Sequence, residues 1–125
     1  MGVKQALIKT NEKDFFKHWL VFTKPLHKLD KMELEITSLL LYYFFQFKKE
    51  VSNDHLAWKL AFDYETKTKI VKEIGTNDQS FRNVLTSLRK NKVIVNNQIN
   101  PSFIPIINLE KSRLFSLIFK FEIND

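Results

Sequence analysis

The chain has 125 residues, 44% of them hydrophobic, with 20 Lys and Arg against 14 Asp and Glu, and no cysteine. That length supports one domain with its own core and excludes two independent ones. The lack of cysteine excludes a disulfide framework and thiolate chemistry, leaving only His18, His27, His55 and scattered carboxylates for a metal, none in ligand-like spacing.

The net charge of +6 favours an anionic partner. Residues 1–10 lack the apolar stretch and small-residue cleavage site of a signal peptide. The apolar run from Leu39 to Phe47 has roughly half the length that crosses a bilayer. The expectation is a soluble cytoplasmic protein with no membrane partner.

In chain order, residues 3–10 read as a short strand (Val3, Ala6, Ile8) or a loose arm. Phe15, Phe16, Trp19, Leu20 and Phe22 then have the spacing of a short amphipathic helix, which Lys24-Pro25 ends because the residue before proline is pushed out of the helical region. Asp30 with Glu33 forms a capping-box start for the longest helix, apolar from Leu34 through Phe47 and closed by Lys48-Lys49. After Ser38 it is apolar on more than one face, which predicts burial on two sides, within the domain or against another copy.

Ser52 reads as the cap of a third helix reaching Phe62, with Leu56, Leu60 and Trp58 inward. A short apolar-periodic segment from Thr68 to Ile74 precedes Gly75. Glycine lets a helix end in the left-handed region, and Thr76 with Gln79 reads as a capping box for the next helix. That helix carries Phe81, Val84, Leu85 and Leu88, the stripe of a core-facing surface.

Past Asn91 the period turns alternating. Lys92-Val93-Ile94-Val95 and Ile99-Asn100-Pro101-Ser102-Phe103 flank an Asn96-Asn97-Gln98 tip, a hairpin pattern. Leu117, Phe119, Phe121 and Ile123 alternate with Ile118, Lys120 and Glu122 as a half-buried C-terminal strand does.

Helices joined at Gly75, a helix running out through Leu88-Arg89-Lys90-Asn91-Lys92-Val93-Ile94, and an immediate hairpin resemble a winged helix-turn-helix domain. The resemblance spans residues 29–103. Ile99-Asn100-Pro101 after the hairpin and Arg113-Leu114 before the last apolar segment are similar to short plasmid and phage replication initiators of winged-helix type. The early FFKHWLVFTKPLHKL, followed by Asp30 and Glu33, resembles small winged-helix proteins of tailed phages of gut bacteria. The implied fold class is α+β, mostly helical, with a C-terminal β-hairpin wing and a further strand. It would form a single domain over 1–125: arm and short helix 1–28, core 29–103, C-terminal strand 104–125.

The resemblance implies a major-groove reading helix from Asn77 to about Lys90 and a wing that meets the minor groove or backbone. If Phe81, Val84, Leu85 and Leu88 face inward, then Gln79, Arg82, Asn83, Thr86 and Lys90 face out, with Ser80, Ser87 and Arg89 on the flanks. Asn83 or Gln79 suits adenine, Arg82 guanine, and the Thr86 methyl a thymine methyl. Arg89, Lys90, Lys92, Lys69 and the tip residues Asn96, Asn97 and Gln98 suit phosphates. Asp78 departs from the pattern: it favours the helix N-terminus and repels a phosphate there.

Residues 64–96 hold seven Lys and Arg against three carboxylates, so most of the net charge sits on this motif. Asp14, Glu33, Glu50 and Glu110 are isolated, and no catalytic constellation is present. The expectation is a non-enzymatic protein without cofactor or small-molecule substrate. It would bind double-stranded DNA in replication initiation or transcription control within a bacterial host cell. The alternative is a winged-helix adaptor or structural protein, virion- or polymerase-associated, acting through protein contacts. A homodimer or other protein partner would use the Phe/Tyr-rich helix.

Overall fold

A computed structural model describes residues 5–124. Six helices precede a small hairpin: α1 Glu12–Phe22, α2 Lys24–His27, α3 Lys31–Glu50, α4 Asp54–Ala61, α5 Tyr64–Ile74 and α6 Asp78–Lys90. β1 Ile94–Val95, β2 Gln98–Ile99 and a 3-10 turn at Pro101–Phe103 follow. The protein is therefore α+β, mostly helical, with a two-stranded antiparallel sheet that pairs Ile94 with Ile99 and Val95 with Gln98.

Asn and Asp start the helices, because a side-chain Oδ, two bonds beyond Cβ, reaches the otherwise unpaired N–H groups of the first turn. Asn11, Asp30, Asn53, Asp63 and Asn77 accept from the backbone N–H of Asp14, Glu33, Leu56, Thr66 and Ser80 respectively. The Asp30–Glu33 capping box forms as expected. Two cap assignments move by one residue. Asn53, not Ser52, opens α4, and Asn77, not Thr76, opens α6. Thr76 is engaged elsewhere: its N–H and that of Gly75 both donate to the Val71 carbonyl, closing the end of α5. Gly75 takes φ +79°, the left-handed conformation the turn requires.

Pro25 does not end helical structure outright. α1 stops at Phe22, where the Thr23 hydroxyl donates to the Trp19 carbonyl, and Pro25 then sits in the first turn of α2, where its missing N–H costs nothing. His27 locks the junction. Its Nδ1 accepts from the Leu29 N–H, so Nε2 is the nitrogen that donates to the Leu20 carbonyl, 2.7 Å away.

α3 is the axis of the core, with α1, α4, α5 and α6 packed around it. Ile36, Leu40 and Leu41 are buried there, and so are Ile70 of α5 and Leu88 of α6. Phe45 stacks on Phe16 at 5.0 Å between ring centroids, and Phe44 on Trp58 at 3.9 Å. The aromatic run of α3 thus lies within the domain: Phe44 and Phe45 are buried and Tyr42, Tyr43 and Phe47 half-buried. The surface expected to receive a partner is mostly covered by the protein's own α1 and α4.

The inward face of α4 differs from expectation. Ala57, Trp58 and Ala61 are buried, while Leu56 is 42% exposed and Leu60 half-buried. Two alanines let the helix approach α3 closely enough for the Trp58 ring to lie flat on Phe44, and that geometry turns Leu56 outward.

The hairpin is shorter than its pattern. Asn96 and Asn97 both take φ near +55°, as a two-residue turn whose twist matches the strands requires, and Gln98 belongs to β2 rather than the tip. The C-terminal strand expected over 104–125 is absent among the described residues, as is any strand in residues 5–10; Val3 lies outside the described residues. Residues 113–124 join neither strand of the two-stranded hairpin. The segment instead runs over α1. Arg113 donates to Glu12, Phe115 packs edge-on to Phe15 and Trp19, and the Trp19 indole donates to the Phe103 carbonyl at 2.8 Å.

Candidate nucleic-acid interface

α6 begins at Asn77 and buries Phe81, Leu85 and Leu88, with Val84 half-buried beside them. At 100° per residue this stripe fixes the rest of the wheel. Gln79, Asn83, Thr86 and Lys90 form the centre of the opposite face. Arg82 and Arg89, seven residues apart, share one flank with Asp78, and Ser80 and Ser87 the other. Gln79, Arg82, Asn83, Thr86, Arg89 and Lys90 are all exposed, Ser80 and Ser87 half-buried. The division into inward and outward residues is as the stripe implies.

On the outward face Gln79 Nε2 donates to Asn83 Oδ1 at 2.9 Å, one helical turn on. The amide of Asn83 is thereby oriented before any ligand arrives. Its oxygen retains a second lone pair and its NH₂ both donors, so it can still meet an adenine edge in bidentate fashion. The Thr86 hydroxyl donates to the Arg82 carbonyl, leaving its methyl and oxygen lone pairs for a partner.

Each flank is tied to another element. Ser87 Oγ donates to Glu33 Oε2 at 2.8 Å, and Glu33 Oε1 accepts from the Asp30 N–H, so one buried carboxylate both caps α3 and pins α6. That fixes the angle of α6 against the domain axis. On the other flank Lys67 of α5 lies 3.6 Å from Asp78. The acid that would repel a phosphate at the helix start is thus partly neutralised. Lys67, Phe62, Arg89 and Asn97 border one shallow pocket beside α6, which brings the wing turn next to the Arg89 flank.

Lys92 follows α6 in a left-handed conformation, φ +63°, and is exposed. Asn100 Nδ2 donates to its carbonyl at 3.0 Å, which binds the root of the hairpin to its exit. Asn96 and Asn97 are exposed at the turn and Gln98 is half-buried in β2. Lys69 is exposed on α5 and is not joined to α6 or the hairpin by any hydrogen bond or ion pair among the described residues. Sequence reasoning missed two supporting residues, Lys67 and Glu33, as partners of α6. Neither contact has a signal in local spacing, since Glu33 and Ser87 are 54 residues apart in sequence.

Besides Lys67–Asp78, the ion pairs lie elsewhere. Lys13 pairs with Glu73, Lys17 with Glu35, Lys48 with Asp54, and Glu12 takes both Lys49 and Arg113. Among the described residues Lys69, Lys72, Arg82, Arg89, Lys90 and Lys92 have no carboxylate within ion-pair distance. Apart from Lys67, which Asp78 compensates, the positive charge of α5, α6 and the root of the hairpin is uncompensated among the described residues. No group of three His, Asp or Glu side chains comes together to hold a metal ion among the described residues, and no described helix is long and apolar enough to cross a membrane. Set against protein-family models, curated proteins and solved structures, the chain gives no match.

Proposed function

We propose that the protein is a small, non-enzymatic winged-helix protein of phage or plasmid type that binds double-stranded DNA, in replication initiation or transcription control. α6 is its major-groove helix and the Asn96-Asn97 hairpin its wing. The observation that carries the reading is the pairing of two properties on one face. Gln79, Arg82, Asn83, Thr86 and Lys90 are exposed together, and Arg82, Arg89, Lys90 and Lys92 lack carboxylate partners among the described residues. Phosphates would be met by Arg89, Lys90, Lys92 and the hairpin turn, which sets affinity and register. Asn83, held by Gln79, and Arg82 would read base edges.

The test is binding to duplex DNA as a function of salt. With Arg89, Lys90 and Lys92 each neutralising a phosphate, log affinity against log salt should fall with a slope of about −3. Asn83→Ala with Lys90→Ala should weaken binding at least about tenfold. If Gln79→Ala and Arg82→Ala lower affinity equally for all sequences, the face grips DNA without reading it. Absence of binding at low salt refutes the proposal.

One observation favours a second reading, an adaptor that works through protein contacts: Leu114, Ile118, Phe119, Phe121 and Ile123 stand in solvent. Under that reading the DNA titration is flat and the protein co-purifies with a particle or polymerase.

A further inference from the structure

Residues 114–123 read Leu-Phe-Ser-Leu-Ile-Phe-Lys-Phe-Glu-Ile and alternate as a strand does, yet pair with no strand among the described residues. Ile118 is 80% exposed, Phe121 88% and Ile123 85%. Apolar side chains in water, on backbone whose N–H and C=O groups beyond Leu114 make no hydrogen bond among the described residues, form an edge to which another strand adds. The segment is held at its start by Arg113 on Glu12 and by Phe115 against Phe15 and Trp19. Phe119 then reaches Phe22 at 6.5 Å between ring centroids, over the last turn of α1, where Val21 and Phe22 are themselves exposed.

We propose that this segment pairs antiparallel with the same segment of a second copy, forming a two-stranded ribbon with its two-fold axis at Phe121. Charge complementarity selects the occupant and the register. An axis at Phe121 sets Lys120 opposite the partner's Glu122, and Glu122 opposite the partner's Lys120, so the charges of one face are matched twice. An axis one residue earlier sets two lysines against each other, which destabilises a strand pair.

The same register gathers Leu117, Phe119, Phe121 and Ile123 of both copies on the other face. Phe119 already directs that face toward α1, and the partner's Ile123 falls opposite Phe119, above Val21 and Phe22. Together Val21, Phe22, Leu117, Phe119, Phe121 and Ile123 offer on the order of 700 Å² per copy, taking roughly 200 Å² for a fully exposed side chain. A standard stable interface covers roughly 800 Å² per partner. The ribbon needs no contact with α6 and leaves the proposed reading face free.

Sedimentation equilibrium of the 125-residue protein tests the inference, with a species near twice 14.9 kDa expected. Phe121→Asp should weaken the dimer at least about tenfold. Lys120→Glu should weaken it as well, and Lys120→Glu combined with Glu122→Lys should restore it, because the matched pairs are re-formed with signs exchanged. These side chains are exposed, so circular dichroism of each variant should match that of the parent.

The chain has no cysteine, so a single introduced thiol reports proximity directly. Phe121→Cys faces its own copy across the axis and should oxidise readily to a linked dimer. Lys120→Cys, offset diagonally by about 7–8 Å, should not. A monomer at all concentrations, a dimer indifferent to Phe121→Asp, or a charge exchange that fails to restore association overturns the inference.

Discussion

Replacing Gly75 isolates the conformational cost of the turn between α5 and α6. The residue sits at φ +79°, and a Cβ built there meets nothing within 4 Å. Crowding therefore contributes nothing, and the whole cost is that of holding an L-residue in the left-handed region. For alanine that is about 1–2 kcal/mol. The two N–H donations to the Val71 carbonyl keep the backbone from relaxing out of that region. Asparagine enters it more easily and should cost less, about 0.5–1 kcal/mol, while β-branched valine should cost the most.

For a chain of this size 1 kcal/mol moves Tm by about 3–6 °C. Thermal unfolding followed by circular dichroism should therefore order the variants Gly75→Asn, Gly75→Ala, Gly75→Val, with Gly75→Ala down by roughly 3–10 °C. If Gly75→Ala melts with the parent, or Gly75→Val no lower than Gly75→Ala, the left-handed cap is not what ends α5 and the argument fails.

Other contacts yield their own expectations. Ser87→Ala leaves Glu33 Oε2 without its hydroxyl donor inside the protein; it should cost about 1.5–3 kcal/mol in denaturant melts, whereas Ser80→Ala on the same flank should stay within about 0.5 kcal/mol. Ile70→Ala, at a fully buried site of α5, should cost about 2–5 kcal/mol and Leu56→Ala, at an exposed one of α4, less than about 1 kcal/mol; a Leu56→Ala cost of about 2 kcal/mol or more would contradict the observed inward face of α4.

Hydrogen bonds from Lys49, then Arg113, then Gln46 hold the Glu12 carboxyl down at about 2, below its ordinary 4.5. A depressed carboxyl stabilises the fold above its unfolded value, so this contribution is complete above pH 4.5 and disappears as pH falls toward 2. Screening at the surface limits it to about 1 kcal/mol. Glu12→Gln should flatten the acid limb of the stability profile by that amount, and an unchanged limb would show that Glu12 does not tie α3, through Lys49, and the C-terminal segment, through Arg113, to α1.

Features that depend on atoms within four residues along the chain were legible before any tertiary structure. The Asp30–Glu33 box, the left-handed Gly75, the stripe of Phe81, Leu85 and Leu88 and an Asn-rich hairpin tip each follow from local sterics and hydrogen bonding, although the tip is two residues rather than three because Gln98 joins β2. With the stripe known, the outward set from Gln79 to Lys90 follows from helical geometry alone. Choices between adjacent candidates were not legible: Ser52 and Asn53, or Thr76 and Asn77, are similar caps on paper. The backbone donation from Thr76 to Val71, which closes the preceding helix, leaves Asn77 as the cap of α6.

Tertiary structure alone decided the rest. Leu56 faces outward because Ala57 and Ala61, not Leu56, meet α3, and a Ser87–Glu33 contact spanning 54 residues ties α6 to α3. The strand pattern of residues 117–123 is equally a matter of context. Alternation states what a segment is able to pair with, but an edge must be present for it to do so, and this fold places none beside it among the described residues. Local chemistry thus set the elements of this protein and the face that α6 presents, while contacts distant in sequence set how that face is held and left the C-terminal segment exposed.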